Sequence, residues 1–237
     1  MKNPNYGLVN TTADAFNVKN KFNKEIIFAL YYNKANDTGH GYWYSTTKPE
    51  EAQLTQPAPV FRALYDARDN RLPLISEYTE DKKGTYLLNK WFDNRNDALK
   101  GNVVENDFPH LRYADVVLMY AEALAESGSS LGDALVWLNK TRTRAGLDAL
   151  KPEDIPSKGA FIEALADERG REFALEGHRW FDLVRLGLAL DRFHEMGYKL
   201  DAHNLLFPIP QNQIEIVNDK TILWQNPGCL LYTSPSP

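Results

Sequence analysis

The chain has 237 residues, 43% of them hydrophobic and 25% charged, and carries a net charge of −5. That is ordinary globular composition, with enough chain to bury a substantial core as one large domain or two small ones. The acidic balance, with basic residues interleaved among acids, excludes the concentrated basic surface of nucleic-acid binders, and one cysteine, Cys229, excludes an internal disulfide framework and a paired-cysteine zinc site.

The opening MKNPNYGLVN holds no apolar core like that of a secretory signal, and no run of about 18 apolar residues marks a membrane-spanning helix. Residues 1–24, rich in Asn and Lys, predict loop or a short helix. Glu25 to Asn33 has the β-branched and aromatic content of a strand, with Ile26, Phe28, Leu30 and Tyr32 on one face and Ile27, Ala29 and Tyr31 on the other. A glycine-bearing loop, Lys34 to Thr47, follows and carries Tyr42, Trp43 and Tyr44. Pro49, Pro57, Pro59 and Pro73 predict irregular structure beyond it, and Thr85 to Phe92 predicts another short strand.

From Phe108 the periodicity becomes helical. Tyr113, Val116, Val117, Tyr120 and Leu124 follow the spacing of one helix face. Gly128, Ser129 and Ser130 break the pattern, a second helix turns Leu131, Leu135 and Leu138 inward, and Gly146 reads as its C-terminal glycine. Arg112 to Ala145 is thus a helix–turn–helix unit of about 34 residues, the tetratricopeptide period, without a second clear copy. A third helix is predicted from about Gly159 to Glu176, then shorter ones at His178 to Leu186 and Leu188 to Met196. Pro208 and Pro210 make Asn204 to Pro210 extended, with Phe207 and Ile209 expected to lie on the helices. One or two helical turns over Gln211 to Val217 and a turn at Asn226, Pro227 and Gly228 complete the predicted elements.

Two stretches invite chemistry. Asp167 to Gly187, DERGREFALEGHRWFDLVRLG, sets Glu168, Glu172, Glu176 and Asp182 among Arg169, Arg171, Arg179 and Arg185 with aromatics between. Glu168, Glu172 and Glu176 rise about 6 Å per step along one helix face, a spacing that permits a glycosidase carboxyl pair. A general acid needs a raised pKa, however, and neighbouring arginines lower it, so the plainer reading is a set of ion pairs locking the helix to its neighbours. Gly170 is unexplained, since a mid-helix glycine costs about 1 kcal/mol relative to alanine. The second stretch is aromatic: Tyr42, Trp43 and Tyr44 in the loop, with Tyr31 at the strand end, offer flat faces with hydrogen-bonding tips to the C–H faces of sugar rings. The plainer reading there is that one or two of these rings plug the core.

Other patterns carry less. The five histidines show no metal-ligand spacing, and Asp66 to Arg71 lacks the third-position oxygen and the sixth-position glycine of a calcium loop, leaving a charged turn. No dinucleotide, phosphate-loop or nucleophile-elbow motif is present, and neither a cofactor nor a metal is expected.

Six blocks, in order, resemble the SusD/RagB family of outer-membrane nutrient-binding lipoproteins: KEIIFALYY at 24–32, LRYADVVLMYAEAL at 111–124, LNKTRTRAGL at 138–147, ERGREFALEGHRWFDLVRLG at 168–187, LFPIPQNQI at 206–214 and QNPG at 225–228. The resemblance implies a mainly α, tetratricopeptide-like helical scaffold with irregular ligand-binding loops, of which residues 1–228 make a C-terminal half. Residues 1–107 would be the loop-rich ligand-binding part and 108–228 the helical part. It also implies a surface protein held to the outer membrane by an N-terminal lipid, although neither a signal nor a lipid-bearing cysteine stands in this sequence and Cys229 is misplaced for the role. Its implied task is capture of oligosaccharide, less often peptide, for a SusC-like TonB-dependent transporter, with Tyr31, Tyr42, Trp43 and Tyr44 as ligand contacts and no catalytic residue. A helical glycoside hydrolase using Glu168, Glu172, Glu176 or Asp182, and a tetratricopeptide-type scaffold for protein partners, are the rival readings. The ending CLLYTSPSP departs from the family pattern and is expected to be a non-native tail, residues 229–237.

Overall fold

The computed structural model describes residues 5–33, 58–75, 77–78, 86–87, 90–91 and 105–229. The chain divides into two compact units, Met1–Arg179 and Trp180–Pro237. In the first, a 3-10 turn at Ala13–Phe16 precedes strand β1 (Ile26–Leu30). Two single-turn helices, α1 (Pro59–Arg62) and α2 (Leu72–Ile75), and the two-residue strands β2 (Glu77–Tyr78) and β3 (Tyr86–Leu87) follow. Strand β4 (Phe108–Arg112) runs directly into α3 (Tyr113–Glu126), and then come α4 (Leu131–Arg144) and α5 (Lys158–Glu172). From the unit boundary onward lie α6 (Arg179–Arg185), α7 (Ala189–Glu195), a 3-10 turn at Ala202–Leu205 and α8 (Gln211–Val217). The architecture is mainly α with a few short strands, as expected.

Helices α3, α4 and α5 pack mutually and hold the main core. Ser130 caps α4 by accepting from the Asp133 amide at 3.1 Å, and Ser157 caps α5 by accepting from the Ala160 amide at 3.2 Å. At the far end of α4, Gly146 stands at φ 83°, its amide donates to Thr143 O, and the Leu147 amide donates to Arg142 O. That is the paired closure of a Schellman motif, with Leu147 buried behind it.

The inward face of α3 is shifted one position along the helix from the expected one. Ala114, Val117, Leu118, Ala121 and Ala125 are buried, whereas Tyr113, Val116, Tyr120 and Leu124 sit at the margin. Both sets follow the same helical spacing; small side chains win because Ala114, Ala121 and Ala125 share their cluster with Ala134 of α4 and let the backbones approach.

Three further expectations are corrected. Residues Phe108–Arg112 are a strand, not the start of a helix: they pair antiparallel with β1, Ile26 opposite Arg112 and Leu30 opposite Phe108. The register is irregular on both sides of Phe28, which breaks the alternation read from the sequence and leaves Ile27, Phe28, Leu30 and Tyr31 all largely exposed. The third helix ends at Glu172 rather than Glu176, because Leu175 takes a left-handed φ of 66° within a turn that closes between Phe173 and Glu176. Pro59 and Pro73 fall in the first turns of α1 and α2, where a missing amide costs nothing. Pro49 and Pro57 lie outside the described residues, and within Thr85 to Phe92 the described Tyr86–Leu87 pairs with Glu77–Tyr78.

In the second unit the extended segment is held by amides rather than by apolar packing. Pro208 and Pro210 have no N–H, so Ile209 alone can donate there, and its amide gives to Gln225 Oε1 at 2.8 Å while Gln225 Nε2 returns a 2.8 Å bond to Ile209 O. Asn226 Nδ2 adds a bond to Phe207 O. Gly228, at φ 74°, closes the block where a Cβ would fall 2.7 Å from the Cβ of His203. Phe207 is 77% exposed, so it does not lie on helices as expected.

Candidate functional site

Of the four aromatics expected to meet a ligand, Tyr42, Trp43 and Tyr44 lie outside the described residues. Tyr31 follows β1 directly, 48% exposed, and its ring stacks on Phe22 with centroids 5.7 Å apart and planes 19° from parallel. Phe22 is 82% exposed, so the pair presents apolar ring surface to solvent. Nothing periodic in the sequence flags Phe22, which stands alone among Lys and Asn, and sequence reasoning missed it.

A charged pair lies at the edge of these rings. The Lys21 ammonium sits 4.7 Å over the Tyr31 ring and donates to Tyr32 O at 2.5 Å, to Asp107 Oδ1 at 3.0 Å and to Glu105 O. Three donors thus meet three acceptors. Asp107 Oδ1 also accepts from the Tyr32 amide at 2.9 Å, so both polar groups of the Tyr32 backbone are tied to one ion pair. The cleft beside it, lined by Phe16, Val18, Lys21, Ile26, Asp107 and Pro109, has room for about one water. A sugar-sized ligand does not fit that cleft.

Glu168 and Glu172 of α5 and Glu176 of the following turn lie elsewhere, all three buried. Glu172 pairs with Arg112 Nη1 at 2.6 Å, with Arg71 Nη1 at 3.1 Å and with Arg144 Nη2. Glu168 takes Arg71 at 2.7 Å and Arg171 at 3.0 Å; Glu176 takes Arg112 Nε at 2.7 Å and Lys90 Nζ at 2.6 Å. Glu25 bridges Arg112 and Arg144, and Asp69 holds Arg71 at 2.8 Å. Five cations, Arg71, Lys90, Arg112, Arg144 and Arg171, thus face five carboxylates, Glu25, Asp69, Glu168, Glu172 and Glu176. Arg112 is placed by the chain itself, as the last residue of β4 and the N-cap of α3.

The expected ion pairs do lock α5 and the turn after it to other parts of the chain, beside local pairs such as Arg171–Glu168 and Asp182–Arg185. The cations on Glu172 and Glu176 come from distant positions, and Arg169 goes to Asp115 at 2.7 Å. The charged turn at Asp66 to Arg71 is exposed at Asp66 and Arg68, but Asp69 and Arg71 are buried members of the cluster. Gly170 also finds its reason: a Cβ there would fall 2.8 Å from Arg179 Nη1, which donates to Ala166 O at 2.7 Å.

Burial alone would raise the Glu172 carboxyl, but Arg144, Arg112 and Arg71 outweigh it and hold the group well below the usual carboxylate range. Arg71 and Arg171 do the same for Glu168, and Arg112 and Lys90 for Glu176, each against burial. Burial brings the Lys90 ammonium down to about 8, with Glu176 resisting. Glycoside hydrolysis needs one carboxyl kept protonated near neutral pH and open to substrate. These three are ionised and covered, which is the chemistry of a clamp.

A model of the SusD family matches residues 70–205, more than half of the chain. The chain belongs to the SusD family. It is 32% identical over 139 residues to SusD-like protein P2 of Formosa agariphila, covering 54% of this chain and 27% of that protein. It is 31% identical over 150 residues to the starch-binding protein SusD of Bacteroides thetaiotaomicron, covering 59% of this chain and 25% of the other. Among solved structures, a laminarin binding SusD-like protein superposes with a TM-score of 0.65 at 26% identity, over 95% of this chain and 54% of that one. The chain thus spans about half the length of that solved relative. The last two of these are named as binding proteins.

Proposed function

We propose that this SusD-family protein is a cell-surface glycan-binding protein, not an enzyme, that captures oligosaccharide and delivers it to a SusC-like TonB-dependent transporter. In this reading the protein is anchored to the outer membrane by a lipid on a part of the protein preceding this chain, and residues 1–107 carry the ligand contacts Tyr31, Tyr42, Trp43 and Tyr44. The observation that carries it is the solvent-facing Tyr31 ring in a chain whose relatives are named for starch and laminarin. An aromatic face offers sugar C–H groups a desolvated partner, while the ionised, buried carboxylates of α5 offer no general acid. The test is calorimetric titration of the protein with laminarihexaose and maltoheptaose. Trp43→Ala should weaken the bound sugar about 2- to 12-fold with an unchanged helical signal. Parent-like affinity in that variant counts against the loop as the site.

A further inference from the structure

We propose that Phe22, stacked on Tyr31, offers its open ring face as a platform for a sugar ring, and that Lys21 and Asp107 are the platform's positioning residues. The platform rests on the glycan-binding reading; the positioning role does not. Tyr31 alone is a single exposed ring, and single exposed aromatics are common. Here Phe22 stacks nearly parallel on it, with centroids 5.7 Å apart, and Phe22 is 82% exposed, so its outer face stays open. A solvated stacked pair in water stays accessible unless something covers it, and the flat C–H face of a pyranose matches its shape and apolar character.

What holds the platform is unusual for an exposed feature. The Lys21 and Asp107 side chains are only 14% and 10% exposed, and their ion pair is shielded from the screening that weakens surface pairs. Lys21 directs one charge to four targets: the Tyr31 ring, Tyr32 O, Glu105 O and Asp107. Asp107 completes the frame through the Tyr32 amide. Asn33 Nδ2 adds a 3.1 Å bond to the Tyr31 hydroxyl. The backbone is therefore fixed at the residue following the Tyr31 ring and two residues before Lys34, where the aromatic stretch with Tyr42, Trp43 and Tyr44 begins in sequence. Such pre-ordering spares a ligand the entropy of fixing the ring itself.

Two measurements test this. In titrations with laminarihexaose and maltoheptaose, Phe22→Ala and Tyr31→Ala should each weaken binding about 2- to 12-fold, and Phe22→Trp should restore it. If Trp43→Ala weakens binding while Phe22→Ala and Tyr31→Ala match the parent, the platform is overturned and the glycan reading stands. If neither sugar binds the parent, both the platform and the glycan reading for these glucans are overturned. Without any sugar, amide hydrogen exchange at Tyr32 should quicken about 10-fold in Asp107→Ala and return to the parent rate in Asp107→Asn, whose side-chain oxygen still accepts, with the α3 amides unchanged as the control for folding. Parent-like exchange at Tyr32 in Asp107→Ala overturns the positioning role.

Discussion

The clamp and the platform use the same vocabulary to opposite ends. In the clamp, Arg112 lies 4.5 Å over the Phe173 ring and Lys90 4.9 Å over Phe16, with both of these charges inside the protein. In the platform, Lys21 lies 4.7 Å over Tyr31, but the ring beyond it faces water. Charge beside aromatic therefore does not by itself mark a site. What separates the two is where the apolar surface goes. The clamp spends its rings on core contacts, and its carboxylates are saturated by distant cations. The platform keeps its rings open and uses one shielded ion pair to hold the backbone beneath them.

Breaking the clamp should have the largest effect. Glu172→Gln leaves Arg71, Arg112 and Arg144 facing a neutral group in a buried site, and about 3–5 kcal/mol of stability should disappear, read by urea unfolding. A loss below 1 kcal/mol would mean that the cluster is wetter and weaker than its burial implies. Acid should do the same by degrees. The folded-state pKa values of Glu168, Glu172 and Glu176 are depressed, so their contribution is complete above the unfolded value of 4.5 and is lost as pH falls through the folded values. Thermal midpoints measured from pH 7 down to pH 3 should fall below about pH 4.5, and the fall should be blunted in Glu172→Gln. A flat profile would contradict the assigned pairing. The smallest effect tests the clamp's edge. Gly170→Ala should destabilise by about 1–2 kcal/mol, although alanine is the better helix former, because the new methyl group displaces Arg179. A stabilised variant would show that Arg179 yields freely. None of these changes touches Phe22 or Tyr31, so sugar affinity measured on any folded variant sharpens the contrast.

The sequence by itself determined the class, the family and the helices. Helical periodicity, Ser and Gly signals and six ordered blocks are local properties, and local chemistry is what a sequence displays. It also showed that Glu168, Glu172 and Glu176 had to be neutralised, because burying charge beside aromatics demands partners. It did not show which partners. Glu25, Arg112, Arg144 and the α5 glutamates belong to four of the six blocks, and only folding shows that those four meet at one cluster while LFPIPQNQI and QNPG meet each other. Asp69, Arg71 and Lys90 gave no sign of burial, since charged residues in an irregular segment look the same whether buried or solvated. Phe22 was invisible for the converse reason: a single Phe among polar residues looks like a core anchor, and only the tertiary structure leaves it outside, stacked on Tyr31. Propensity and periodicity act over a turn or two of chain, whereas the cluster's ion pairs join residues as far apart as Glu25 and Arg144, 119 positions along the chain.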